Sequence, residues 1–91
     1  MDRLQEVILP LVKERIGIRS NVRDNYIMFI LESVVNELTE EKGIVIDDTN
    51  PRHFMFIVDY SAWRYSNRDS VDGMPRHLQF RLHNLMINGG V

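Results

Sequence analysis

The segment FMFIVDYSAWRYSNRDS, residues 54–70, gathers two of the four Phe, two of the three Tyr and the only Trp of the 91-residue chain. A helix start precedes it, because Thr49 or Asn50 can cap a helix that has Pro51 at its first position. Apolar side chains would then lie on more than one side of the helix, which is typical of a helix packed between several neighbours. The segment therefore predicts a central, aromatic-rich helix over about residues 51–67.

A first helix is predicted over about residues 2–16, where apolar side chains recur at helical spacing. Asp2 can cap its start, and Gly17 is a suitable C-terminal stop. Pro10 removes one helix hydrogen bond, so we expect the helix to kink or split there.

A second helix is predicted over about residues 22–42, with Ser20 or Asn21 as its cap and Gly43 at its end. Its apolar stripe consists of Ile27, Ile30, Leu31, Val34, Val35 and Leu38. Its opposite side is acidic and polar. The β-branched residues 44–46 then predict a short extended connector that places one or two side chains in the core.

The last helix is predicted from about Pro75 to Ile87, after a loop in which Asp72 and Gly73 indicate a turn. Its apolar stripe consists of Leu78, Leu82, Leu85 and Met86. The chain is thus predicted to be one all-α domain over residues 1–91, a small bundle of about four helices around the central one. The predicted core consists of Leu31, Val34, Phe54, Ile57, Val58, Trp63, Tyr65, Leu78 and Leu82.

Composition excludes several classes of protein. The chain has no Cys, so neither a disulfide nor a thiolate zinc site is expected. The N-terminal sequence lacks the apolar run of a signal peptide, and no stretch approaches the roughly 20 apolar residues of a membrane span. A net charge of −2 gives no bulk attraction to nucleic acid or to anionic lipid.

No spacing of residues encodes a catalytic, cofactor or metal site. Of the three histidines, His77 and His83 are six residues apart and so do not share a helix face, and His53 lies far from both in the sequence. The acidic run DDTN, residues 47–50, lacks the glycine and the glutamate of a calcium loop, and helix capping explains it better. No nucleophile lies in a glycine elbow or beside an activating base. We therefore expect a protein that is not an enzyme and has no cofactor.

A small DNA-binding domain is one alternative. Lys13, Arg15, Arg19 and Arg23 cluster around the junction of the first two helices, which could form half of a helix-turn-helix. The acidic outer side of the second helix argues against this, because a recognition helix needs a basic or amide-rich outer face. A generic helical module for protein interaction is the other alternative.

The order of elements and the string AWRYSNRDS resemble the head-tail connector proteins of tailed bacteriophages, also called head completion or DNA-packaging adaptor proteins. In that family a penultimate helix has an apolar run, an aromatic pair and then Tyr-x-Asn-Arg-Glu. Trp63, Tyr65, Asn67 and Arg68 match this pattern, while Asp69 stands where Glu is commoner. A Pro-led final helix follows, and residues 75–85 fit it. The first helix with Pro10, and the few residues after the last helix, depart from the pattern.

The resemblance implies a structural protein of a virion or prophage. Such proteins dock as a ring beneath the portal protein, extend the DNA channel, and offer a docking surface to a tail or stopper protein. DNA would pass through without specific binding, and no membrane would be involved. The expected location is the head-tail junction of the virion, and the host cytoplasm before assembly.

An uneven distribution of charge agrees with such a ring. Residues 1–49 carry six Lys and Arg against ten Asp and Glu, whereas residues 50–91 carry five Arg against three Asp. Opposed charges on two halves suit head-to-tail contacts between neighbouring copies. Arg64, Arg68 and Asp69 are the predicted contacts to a neighbouring subunit or the portal. On this hypothesis Arg68→Glu spares folding and weakens assembly, whereas Trp63→Ala unfolds the monomer.

Overall fold

The described part of the chain forms four α-helices, and two of these helices are extended by a π-helical turn. The computed structural model describes residues 4–47, 49–69 and 73–88, and within these ranges it contains no strand. The helices are α1 (Leu9–Ile16), preceded by a π-helical turn Leu4–Ile8, α2 (Asp24–Asn36), continued by a π-helical turn Glu37–Glu41, α3 (Pro51–Ser66) and α4 (Arg76–Asn88). The predicted all-α bundle of about four helices is confirmed.

Local capping explains where α1 ends and α3 begins. Gly17 adopts φ 87°, and the N–H groups of Gly17 and Ile18 both donate to the Lys13 carbonyl, at 2.8 and 2.9 Å. This left-handed conformation costs little only for glycine. At the start of α3, the Asn50 side chain accepts a hydrogen bond from the Arg52 N–H at 2.9 Å, and Pro51 occupies the first position. Both helix ends lie where the sequence predicts them.

The start of α2 differs from the prediction. The helix begins at Asp24, and neither Ser20 nor Asn21 caps it. The Asn21 side chain instead accepts a hydrogen bond from Lys13 Nζ at 3.0 Å, which ties the loop back to α1. The Asn21 side chain, which could have capped α2, therefore makes a tertiary contact with α1 instead. The predicted cap Asp2, the turn residue Asp72 and the tail after residue 88 lie outside the described residues.

The first helix changes type next to Pro10. The π-helical turn ends at Ile8, and the α-helical geometry begins at Leu9, one residue before the proline. Pro10 has no N–H to bond to the preceding turn, and its ring would clash with the carbonyl four residues earlier in a regular α-helix. A wider turn at this point relieves the clash. The predicted split is thus a change of helix type.

The aromatic-rich helix α3 is the centre of the bundle. It packs against α1, α2 and α4, and also touches the π-helical turn before α1. By contrast, α2 and α4 do not contact each other over the residues described for them, so they lie on different sides of α3. The predicted central position of this helix is confirmed.

Burial shows which predicted core residues are enclosed. Seven of the nine are buried: Leu31, Val34, Ile57, Val58, Tyr65, Leu78 and Leu82. Phe54 and Trp63 are only half-buried and pack against the edge of the core. Besides Tyr65, the buried aromatic residues of α3 are Phe56, which is 1% exposed, and Tyr60, which is 6% exposed. The expectation that Trp63→Ala unfolds the monomer is therefore revised to a smaller loss of stability.

The connector and the outer helices complete the core. Ile44 is 2% exposed and Ile46 is half-buried, so the connector does place two side chains against the bundle. Leu11 on α1 (38%) and Met86, a member of the predicted α4 stripe (43%), are instead exposed.

Ser61 is a polar residue in the middle of this core. It is fully buried on α3, and its hydroxyl has no hydrogen-bond partner among the described residues. Because an unpartnered buried hydroxyl is unfavourable and Ala is the better helix former, we expect Ser61→Ala to stabilise the protein by about 0.5–1.5 kcal/mol. Denaturant unfolding measures this change. The exposed Ser66 on the same helix is the control, since Ser66→Ala should change stability by at most about 0.5 kcal/mol. A destabilised Ser61→Ala variant would show that the hydroxyl has a partner.

Candidate interaction surfaces

The three histidines have different surroundings. His53 is buried, and its Nδ1 accepts a hydrogen bond from the Asp47 N–H at 2.8 Å, which fastens the connector to the start of α3. His77 and His83 are exposed on α4. Within the described ranges, no group of three His, Asp or Glu side chains could hold a metal ion.

The acidic turn before α3 stabilises the chain locally. The Asp47 carboxylate accepts hydrogen bonds from the Thr49 hydroxyl at 2.6 Å and from the Thr49 N–H at 2.9 Å. These bonds, chiefly the one from the hydroxyl, lower the pKa of Asp47 below its usual value. With Asn50 capping α3, the turn has the geometry of a helix start. The predicted explanation of this run by capping agrees with these contacts.

The four residues that match the connector pattern, Trp63, Tyr65, Asn67 and Arg68, lie at the C-terminal end of α3. The Asn67 side chain and N–H both donate to the Trp63 carbonyl at 2.9 Å. Arg68 donates to the Tyr65 carbonyl at 2.6 Å, and its guanidinium lies 4.5 Å from the centre of the Tyr65 ring. The Tyr65 hydroxyl in turn accepts from Arg23 at 3.0 Å, which links the start of α2 to the end of α3. These residues therefore terminate a helix and join it to its neighbour.

A polar cluster links α3 to the end of α2. The Tyr60 hydroxyl donates to the two carboxylate oxygens of Glu37 at 3.0 and 3.1 Å. Burial of the phenol, together with the negative charge of Glu37, raises the pKa of Tyr60 to about 12. Trp63 stacks on the Tyr60 ring with centroids 6.2 Å apart, and Arg64 lies 5.8 Å from the same ring and 3.9 Å from Glu37.

The three predicted interface residues thus have different surroundings. Arg64 and Arg68 both contact aromatic rings of their own subunit, whereas Asp69 is exposed just after α3. Their role in contacting a neighbouring subunit stays a prediction. The contacts show that substituting either arginine would also remove an interaction within the monomer.

Asp59 joins three helices. From α3, its carboxylate accepts a hydrogen bond from Arg81 of α4 at 2.7 Å and lies 3.4 Å from Nε of Arg15 on α1. The Arg81 guanidinium also lies 5.6 Å from the centre of the Phe56 ring. This network was not predicted from the sequence, because the three residues are separated by 44 and 22 positions.

The basic residues at the junction of α1 and α2 are mostly paired within the chain. Lys13 lies 2.8 Å from Asp24, Arg15 contacts Asp59, and Arg23 contacts Tyr65. Residues 17–23 separate the two helices, which is longer than the turn of about three or four residues in a helix-turn-helix. These features argue against the DNA-binding alternative at this junction.

An open groove of about 560 Å³ lies between the start of α3 and the second half of α4. Its lining residues are Asn50, Pro51, Arg52, His53, Met55, Phe56, Arg81, Asn84 and Leu85. The groove is mixed in character, and its charged side chains do not form a nucleophile–base pair or a set of metal ligands. It therefore does not change the expectation that the protein is not an enzyme.

Two exposed surfaces lie on the two helices, α2 and α4, that pack on α3 without contacting each other over the residues described for them. The acidic surface, on α2 and the π-helical turn after it, consists of Phe29, Glu32, Asn36 and Glu40. The basic surface, on α4, consists of Arg76, Phe80, His83 and Ile87. All eight side chains are exposed, and each set follows the three- and four-residue spacing of one helix face. Phe29 is 69% exposed, Phe80 63% and Ile87 54%, so large apolar groups face solvent on both surfaces.

No family model matches the chain, and the searches of curated proteins and of solved structures found no match either. In the part of the chain that the structure describes, no helix is both long enough and apolar enough to cross a membrane.

Proposed function

We propose that this protein is a structural subunit that docks as a ring beneath the portal of a tailed bacteriophage or prophage, connects head to tail, and extends the DNA channel. The observation that carries the proposal is the pair of exposed surfaces with an aromatic side chain on each. Aromatic residues are frequent anchors of protein interfaces. The resemblance over residues 54–85 supplies the kind of assembly.

The arrangement of the motif residues supports a structural role. Asn67 and Arg68 donate to the Trp63 and Tyr65 carbonyls and so close the C-terminal end of α3. Both surfaces lie on helices that pack on α3, and surfaces held in place before binding lower the entropic cost of association. The partners in this proposal are the portal, neighbouring copies of the chain, and a tail or stopper protein.

The charges are compatible with a channel that lets DNA pass. Each close contact of Lys or Arg with a phosphate adds salt-dependent affinity, which would retard DNA. Here the net charge is −2, and several arginines already pair with groups of their own subunit. In this proposal the protein is present in the host cytoplasm before assembly and at the head-tail junction of the virion afterwards. A generic interaction module would have similar surfaces but no affinity for a portal.

The proposal is tested first by reading the neighbouring genes and then by binding. We expect genes for a portal, a major capsid protein and tail proteins beside this one. The portal from that neighbourhood, mixed with this protein, should gain an additional ring that is visible by electron microscopy. Phe80→Ala should weaken this binding by about tenfold or more, as expected for an interface anchor.

The matched control is Val45→Ala, because Val45 is 69% exposed, similar to the 63% of Phe80, but lies outside both surfaces. It should bind as the unmodified protein does. Neighbouring genes unrelated to phage assembly, or a cognate portal that gains no ring, would contradict the proposal.

A further inference from the structure

We infer that the acidic surface of one copy binds the basic surface of the next copy, with α2 and α4 packed antiparallel. This inference deepens the proposed function and rests on it, because it names the contact by which copies would join in a ring. Among the residues that the structure describes, the side chains of either surface make no hydrogen bond or ion pair with the rest of the subunit, and each surface combines an exposed aromatic ring with charge of one sign.

The two surfaces have complementary charge. Residues 32–41 contain four Glu and no Lys or Arg, while residues 76–88 contain two Arg and two His and no Asp or Glu. One of those arginines, Arg81, is bound to Asp59, which leaves Arg76 on the outward side. Complementary potentials favour association and penalise contact between two like surfaces. An acidic surface is therefore a poor partner for its own copy and a good one for the basic surface.

The fold requires the pairing to be between copies. Because α2 and α4 lie on different sides of α3 and do not touch over the residues described for them, one subunit cannot bring its own two surfaces together. A contact between two different surfaces is heterologous, and repeating it produces a ring if the rotation closes.

The spacing of residues selects the direction of packing. Read in opposite directions, the two surfaces place Phe29 opposite Ile87, Glu32 opposite His83, Asn36 opposite Phe80, and Glu40 opposite Arg76. Read in the same direction, Glu32 would meet Phe80 and Glu40 would meet Ile87, which would desolvate carboxylates against apolar groups. The antiparallel arrangement therefore pairs both glutamates with basic residues, brings one apolar pair together, and sets no carboxylate against an apolar group.

A second copy suits the basic surface better than DNA does. Affinity for DNA comes largely from Lys and Arg contacts with phosphates, and this surface has a single arginine. Half of its members, Phe80 and Ile87, are apolar and more than 50% exposed. Water-exposed apolar groups gain more from a protein partner than from a phosphate backbone.

Cross-linking tests the contact directly, because the chain has no cysteine and added thiols are unique. A contact of a few helical turns is smaller than the roughly 800 Å² per partner of a stable dimer, so we expect weak association in the isolated protein. Asn36→Cys and Asn84→Cys add a thiol beside the acidic and the basic surface, both at exposed positions. With a short bifunctional thiol reagent over a concentration series, a mixture of the two variants should give covalent dimer. Either variant alone should give little.

The control is a mixture of Ser20→Cys and Ser66→Cys, which are exposed positions outside both surfaces. Its yield measures random collision. If the Asn36→Cys and Asn84→Cys mixture gave no more dimer than this control at the highest concentration, the inference would be overturned.

Charge reversal tests the direction of packing. In cross-linking variants, Glu40→Arg or Arg76→Glu alone should lower the dimer yield by about three- to tenfold. Both changes together should restore it, because every heterologous contact then pairs opposite charges again. Failure of the double variant to recover would overturn the antiparallel arrangement. A gel-shift assay with DNA at low salt gives the other outcome. If the protein retarded DNA, Arg76→Glu abolished this retardation, and cross-linking stayed at the level of the control, the basic surface would be assigned to nucleic acid instead.

The experiments separate this inference from the proposed function. A portal that gains a ring of subunits while the α2–α4 cross-link is missing would refute the inference and leave the function intact. If the cross-link exceeded the control but the protein did not bind the cognate portal, the contact between copies would stand and the proposed function would be refuted.

Discussion

Phe56→Ala should destabilise the protein by about 3–5 kcal/mol, as expected for removal of a buried aromatic ring. Phe56 is 1% exposed on α3 and packs against Tyr60 at a centroid distance of 5.7 Å, with Arg81 of α4 beside its ring. A domain of this size has a free energy of unfolding of about 5–14 kcal/mol. The substitution therefore removes a large share of that stability, and partial unfolding at 37 °C is expected.

Urea unfolding followed by circular dichroism measures the effect. Phe80→Ala is the matched control, because it makes the same chemical change on an exposed residue of α4 and should change stability by at most about 0.5 kcal/mol. Similar losses for the two variants would show that α3 does not enclose Phe56 as described. The comparison also separates folding from assembly, since only Phe80 is expected to matter for binding.

Tyr60→Phe is expected to cost about 1.5–2 kcal/mol at neutral pH. The change removes the hydroxyl that donates to Glu37 and keeps the ring, so it isolates a hydrogen bond to a charged acceptor. Glu37 remains near Arg64, which limits the loss. The measurement is again denaturant unfolding, with Tyr26→Phe on the exposed side of α2 as the control.

The same tyrosine gives a prediction for alkaline pH. Its pKa rises from about 10 in the unfolded chain to about 12 in the fold, so the fold favours the neutral phenol. The stability that this preference contributes is fully present below pH 10 and is lost as the pH rises through 12. The difference in stability between the unmodified protein and Tyr60→Phe should therefore shrink between pH 10 and 12. A difference that stayed constant over this range would contradict the assignment.

The sequence was sufficient to predict the helices wherever local signals act alone. Asn50 with Pro51 starts α3, and Gly17 ends α1, because capping depends only on residues close in the chain. The predicted cap of α2 was wrong because Lys13, a residue of another helix, binds the side chain of Asn21. Hydropathy also could not show that Phe56 and Tyr60 are buried while Phe54 and Trp63 are half-buried. A helix that packs against several neighbours is apolar on more than one side, so its pattern does not single out the most buried side.

The candidate surfaces were only partly predictable. The acidic side of the second helix was visible from its spacing, as was the opposite charge of the two halves of the chain. Phe80 and Ile87 lie outside the predicted apolar stripe of the last helix, but their exposure could not be predicted, because the sequence does not show which other elements cover that side of the helix. The network around Asp59 depends on three helices meeting, which local sequence does not encode.

The central position of α3 has a consequence for the synthesis of the chain. Both α1 and α2 pack chiefly on a helix that the ribosome makes after them, and they contact each other less. At roughly 5–20 residues per second, the 50 residues 17–66, which follow α1 and complete α3, take about 3–10 s to be made. During that time the apolar stripes of α1 and α2 lack their main partner. The nascent chain is thus expected to need chaperone protection until α3 emerges, and its core to form in one step afterwards.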